Sequence, residues 1–156
     1  MSSPANKLVE HWTLRGLGIA DGNSESVVRA FELKHGVILP VDFREYLLSV
    51  DGMMQLHGHD CDPLWFAFWP LDRIRNAQEE CSKPRMSLPK VANLANYFVF
   101  ADYLQWCWAY AIRLSGDRSD RNPVFAIGSL NDGEIASSFS DFVDLYISDA
   151  KQLYPS

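Results

Sequence analysis

The stretch Trp106-Cys107-Trp108-Ala109-Tyr110-Ala111-Ile112-Arg113-Leu114 alternates large side chains with smaller or polar ones at every step. A strand turns successive side chains to opposite faces. Trp106, Trp108, Tyr110, Ile112 and Leu114 therefore load one face with bulk, and Cys107, Ala109, Ala111 and Arg113 leave the other open to close approach. The neighbouring run 97–101 is a second strand candidate, and residues 102–105 between the two read as the turn of an antiparallel hairpin. Runs 64–69 and 123–127 are further strand candidates, with a weaker one at 53–57.

Helical spacing flanks this strand-rich middle. Pro4 suits a first helical turn, and Ala5, Leu8, Val9 and Trp12 follow at i, i+3, i+4 and i+7 before Gly16 and Gly18 offer a stop. Ser24 is placed to cap a second helix that carries Val27, Val28 and Phe31 on one face and ends at Gly36. The clearest helix signal is Leu39-Pro40-Val41-Asp42-Phe43-Arg44-Glu45-Tyr46-Leu47-Leu48-Ser49-Val50-Asp51-Gly52, in which Phe43, Tyr46, Leu47 and Val50 form one apolar stripe. Near the C-terminus, Ser138 and Asp141 form a capping pair. The stripe behind them comprises Phe139, Phe142, Val143, Tyr146, Ile147 and Ala150. A shorter helix is expected over 71–81. Helices, then an antiparallel sheet of about five or six strands, then a closing helix make an α+β domain.

The chain of 156 residues has the length of one domain, expected to span 1–156. Its 47% hydrophobic content supplies a core without disulfides or a structural metal, and no cofactor is expected. A net charge of −6 argues against a general nucleic-acid binder, because phosphate contacts need clustered Lys and Arg. The same charge favours a basic protein partner. The excess acid lies late in the chain: residues 101–156 hold eight acidic and four basic side chains. Cys61, Cys81 and Cys107 form no CxxC pattern, which fits a reducing compartment. No run approaches the roughly 18 apolar residues of a membrane span, and the first residues lack the apolar core of a signal peptide. The expected location is the cytoplasm.

Four segments, taken in order, carry a family resemblance. They are Phe31 to Gly52 with its Leu39-Pro40 step and Asp51-Gly52 end; Phe68-Trp69-Pro70-Leu71-Asp72-Arg73-Ile74; Val99-Phe100-Ala101-Asp102 followed by Ala109-Tyr110-Ala111-Ile112; and Pro123-Val124-Phe125 followed by Ile135 to Phe142. Over roughly residues 24–150 the chain resembles the SUKH superfamily, in particular the branch typified by the yeast cell-wall assembly regulator and its bacterial relatives. It departs at the hairpin turn, where Tyr103-Leu104-Gln105-Trp106 stands in place of a Gly-rich turn. The resemblance implies an antiparallel α+β fold. For bacterial members it implies an immunity protein that neutralises a toxin, often a nuclease, by binding it; for yeast-like members it implies a regulatory scaffold. It implies no catalytic residues.

Two local features compete for a role. His57, His59, Asp60, Cys61 and Asp62 offer every common zinc-ligand type within one short loop, which would suit a small hydrolase or a metal protein. Adjacent residues close a tetrahedron poorly, no second ligand pair stands elsewhere, and the loop reads as a polar surface segment without metal. The acids Asp132, Glu134, Asp141 and Asp144 instead suggest an electronegative docking side, with Tyr103 and Trp106 as aromatic contacts. Trp12, Trp65, Trp69 and Trp108 are expected in the core and Trp106 outside it.

Overall fold

Ser3, Ser24 and Ser138 each stand at a helix N-terminus, where the hydroxyl accepts the backbone N–H three residues on, from Asn6, Val27 and Asp141. Each satisfies one of the donors that a helix start leaves without an internal partner. The computed structural model describes residues 2–53, 61–82 and 91–155. In chain order these form α1 (Pro4–Leu14), β1 (Ile19–Asp21), α2 (Glu25–His35), α3 (Val41–Ser49), β2 (Val50–Met53), β3 (Phe66–Phe68), β4 (Arg75–Asn76) and α4 (Ala77–Glu80). There follow β5 (Tyr97–Tyr103), β6 (Trp108–Arg113), β7 (Val124–Ile127), β8 (Gly133–Ala136) and α5 (Phe139–Ile147).

The main sheet has the order β3-β5-β6-β7-β8, every pairing is antiparallel, and β4 joins the same edge of β5 as β3 does. β1 and β2 form a separate antiparallel pair. This is the expected α+β architecture, with N-terminal helices and a C-terminal helix against an antiparallel sheet of six strands.

The helices cover one face of the sheet through aromatic side chains. Phe100 meets Phe43 of α3 and both Phe139 and Phe142 of α5, and Phe68 meets Trp12 of α1 and Tyr146 of α5. Tyr110 packs on Phe142, so the bulky alternation read in β6 does face the helices. Ala109 and Ala111 lie on the opposite face and are fully buried too.

Asp51-Gly52 brings β2 against β3. Gly52 has φ +71°, and a Cβ there would sit 2.6 Å from the Trp69 carbonyl carbon and 2.7 Å from the Phe68 oxygen. Only glycine fits so close an approach in that conformation. Asp51 adds a carboxylate oxygen that accepts the Leu71 N–H at 2.8 Å and the Asn23 side-chain amide at 3.0 Å.

Several boundaries differ from expectation. The strand expected from Trp106 starts at Trp108, because residues 104–107 form the turn. The run 64–69 forms a strand only over Phe66–Phe68. The helix expected over 71–81 divides into a 3-10 turn, β4 and the short α4. Of the strand candidate 53–57 only Met53 is described, as the last residue of β2, and residues 57–60 of the histidine-rich loop lie outside the described residues.

Candidate interaction surface

Asp62-Pro63 begins a tight turn, not a strand. One Asp62 carboxylate oxygen accepts the backbone N–H groups of Leu64 and Phe66, each at 2.9 Å. The other accepts the Tyr146 hydroxyl at 2.5 Å, and that hydroxyl in turn accepts the Trp12 indole N–H at 3.0 Å. An aspartate bonding to backbone just downstream reinforces a turn, and here it adds to the turn's own bonds, Trp65 N–H to the Asp62 carbonyl at 3.0 Å and Asp62 N–H to the Phe66 carbonyl at 2.8 Å. Here the carboxylate is buried, so the turn is tied to α5 and α1 through a chain of side chains. What the turn presents is apolar: Leu64 is 44% exposed and Trp65 47%. Trp65 has φ +72°, a left-handed conformation that costs a non-glycine residue about 1–3 kcal/mol.

The β5–β6 turn stands beside it, joined by a hydrogen bond from the Leu104 N–H to the Trp65 carbonyl at 2.9 Å. Leu104, Gln105 and Trp106 all have positive φ, at +48°, +54° and +69°, and Leu104 is exposed. A second buried aspartate organises this turn. Asp102 accepts the Trp69 indole N–H at 2.7 Å and the Trp106 backbone N–H at 3.3 Å, with the Arg73 guanidinium 4.0 Å away. Burial pushes its carboxyl above the ordinary value, and the Trp69 bond and the Arg73 charge pull against that shift. Arg73 also lies over the Trp69 ring, 3.8 Å from its centroid. Four consecutive or backbone-linked residues outside the comfortable regions, at one end of one sheet, mark a place where side-chain presentation outweighs local comfort.

Trp106 is half-buried and not the exposed aromatic expected of it. Its indole N–H donates to the buried Glu80 at 3.1 Å, and its ring lies on Gly128, where a Cβ would sit 2.8 Å from the ring. Glu80 also accepts from Arg75 at 2.5 Å. Cys81, next along, is buried, and burial with the Glu80 and Asp132 charges pushes its thiol up to about 11, away from reactivity. Tyr103 turns the other way and stacks on Trp108 with ring centroids 4.6 Å apart. Trp65 is the correction in the opposite sense: expected in the core, it is the most exposed of the tryptophans.

The four acids each meet a local partner. Asp132 accepts the Gly128 and Ser129 backbone N–H groups and closes the β7–β8 turn. Glu134 pairs with Arg121 at 3.2 Å, Asp144 with Lys7 at 2.7 Å, and Asp141 with the Ser137 hydroxyl. Asp141 and Asp144 lie on α5, and Asp132 and Glu134 at the β7–β8 hairpin, so the four acids are divided between two elements. Among the described residues no group of His, Cys, Asp and Glu is placed to hold a metal ion, and no helix is long and apolar enough to cross a membrane.

Reading the sequence for function overlooked Leu64, Leu104 and Asp102, assigned Trp65 to the core, and took Asp62 as part of the histidine-rich loop and not as the anchor of a turn. Asp62-Pro63 was the available signal, since an aspartate before proline favours a turn and takes the next residues out of a strand. Nothing comparable marked Leu104. No curated protein matches the chain. A family model described as the SMI1 / KNR4 family (SUKH-1) does match, over residues 22–145, which runs from the start of α2 into α5 and takes in both aspartate-held turns. With the antiparallel α+β fold, that match makes the chain a member of the SMI1 / KNR4 family (SUKH-1).

Proposed function

We propose that this protein is a non-enzymatic immunity protein that binds a toxin domain and covers its active surface, with Trp65 as the central contact and Leu64 and Leu104 beside it. One observation carries the reading: an exposed tryptophan held in a left-handed backbone by a buried carboxylate. Interface hot spots favour Trp in preorganised positions, because a side chain already fixed loses little freedom on binding. Tyr103 and Trp106 back this surface from the two sides of the sheet. Asp62 and Asp102 are buried and occupied by donors, which suits support and not acid–base chemistry on a substrate. Asp132, Glu134, Asp141 and Asp144 contribute a long-range field that draws in a basic partner, such as a nuclease that must hold phosphates. The site of action is the cytoplasm, and a regulatory scaffold with an endogenous partner is the competing role.

Co-expression tests this directly. The gene beside this one should encode a protein whose C-terminal domain kills cells, and the present chain should rescue them. Trp65→Gly should abolish rescue and speed release of the purified complex. The pair Asp141→Lys and Asp144→Lys should mainly slow association at low salt. A neighbouring product that is harmless, with tight binding to an endogenous protein instead, would replace immunity with the scaffold role. Rescue and binding that ignore Trp65 would put the contact elsewhere.

A further inference from the structure

A groove of about 650 Å³ lies at the other end of β6 from the Leu104 turn, between α2, the α2–α3 connection and the β6–β7 loop. Its walls are fixed. The α2 helix ends at Gly36 in the left-handed conformation, and the Ile38 N–H donates to the Ser115 carbonyl at 2.8 Å, which clips the α2–α3 connection to the β6–β7 loop. Glu32 accepts the Leu39 N–H at 3.0 Å and lies 3.7 Å from Arg44, whose guanidinium also makes a two-bond contact to Glu25 at 3.1 and 2.6 Å. Arg44 is thus part of the frame.

The groove's other two guanidiniums are not so used. Arg29 stands on α2 and Arg118 on the β6–β7 loop, both exposed, and neither forms an ion pair among the described residues. The loop's own acids are engaged elsewhere: Asp120 with Arg113 at 3.5 Å and with the Ser115 hydroxyl, and Asp117 with Ser119. Beside these two cations sit large aliphatic side chains in water, Leu33 at 72% and Val41 at 71% exposure.

We propose that this groove docks a short acidic segment of a protein partner, whose carboxylates engage Arg29 and Arg118 while an adjacent aliphatic side chain lies against Leu33 and Val41. The chemistry selects this occupant. Guanidinium is the donor best matched to carboxylate, and it presents two parallel N–H groups. The flanking leucine and valine gain nothing from a bare phosphate and gain burial from a peptide side chain. The length follows from charge: the whole chain carries −6 and repels an extended acidic body. Within the Debye length of about 8 Å in physiological salt, the groove's own side chains dominate, with the guanidiniums of Arg29, Arg44 and Arg118 set against the carboxylate of Glu32, so a short segment binds where a long polyanion does not. This site is separate from the Trp65 surface and does not depend on the immunity role.

The test is selection of random octapeptides displayed on phage against the immobilised protein, followed by fluorescence anisotropy with a labelled Ser-Asp-Glu-Leu-Glu-Asp-Leu-Ser probe. Enriched peptides should place Asp or Glu beside Leu, Ile or Val. The probe's affinity should fall about tenfold in the Arg29→Glu, Arg118→Glu double variant and severalfold in Leu33→Ser. It should be unchanged in Trp65→Gly, and all variants should melt within a few degrees of the parent. Selection of neutral or basic peptides, no binding at about 1 mM probe, or equal binding by the double variant would overturn the proposal. Loss of binding in Trp65→Gly would overturn it as well, by moving the segment to the other surface.

Discussion

Two adjacent turns at one end of the sheet are each built on a buried aspartate, yet the two carboxylates act on different things. Asp62 spends its bonds on backbone, accepting two N–H groups of its own turn and one tyrosine hydroxyl from α5. Asp102 spends its strongest bond on a side chain, the Trp69 indole, and reaches the turn's backbone only through a longer contact to Trp106. The first turn is therefore rooted in the helical core and the second in the layer beyond the sheet, beneath α4. A rigid backbone suits the turn that displays Trp65, and an adjustable indole suits the one that covers Glu80.

The largest expected effect is on folding. Asp62→Ala leaves three donors without their acceptor, each worth about 1–3 kcal/mol when buried, so urea unfolding should show a loss of about 3 kcal/mol or more. Asp102→Ala should cost less, about 2 kcal/mol, because one of its contacts is long and removing it also removes a carboxylate that burial disfavours. Equal losses would break the comparison.

Two tyrosines sharpen it further. Tyr146→Phe takes away the link between Asp62 and Trp12 and should cost about 1–2 kcal/mol. The Tyr46 hydroxyl is buried with no hydrogen-bond partner among the described residues. Tyr46→Phe should be neutral or slightly stabilising in the same denaturation assay, since it relieves a desolvated group. A smaller change is expected from Trp65→Gly. Glycine tolerates φ +72°, so stability should hold or rise by about 1 kcal/mol even as partner binding is lost.

The smallest effect is that of pH. Burial is the main cause that holds His11 and His35 below the ordinary imidazole value of 6.5, with Arg15 and Lys34 adding to it. The folded state then binds fewer protons than the unfolded one. Their contribution is complete above pH 6.5 and is lost as the pH falls toward the folded values. Thermal midpoints should drop modestly between about pH 7.5 and 5.5, and the His11→Gln, His35→Gln double variant should flatten that slope.

Much of the fold was legible because period and caps act locally. Ser24 and Ser138 mark helix starts by hydrogen bonds within three residues, and β6 shows its two faces by alternation alone. The candidate surface was not legible to the same extent. Trp65 sits in an aromatic run that suits a strand; the bonds of Asp62 to the Leu64 and Phe66 N–H groups turn it outward, and Tyr146, 84 positions away, holds that carboxylate in place. Trp106 erred the other way, since Gly128 and Glu80 reach it from distant segments. Alternation cannot report a turn made of three left-handed residues that are not glycine.

The strand order has a consequence in time. From β5 to β8 each strand pairs with the next in sequence, so most of the sheet assembles by successive short-range closures. Such local pairings lower contact order and quicken folding, whereas the packing of α1 on α5 must join the two ends of the chain and closes late. A newly made chain therefore gains its β5–β6 turn early, but the Asp62 link to α5 only when the last helix docks. The Asp62–Tyr146 bond that steadies the Trp65 turn can form only once the helix nearest the C-terminus has been made.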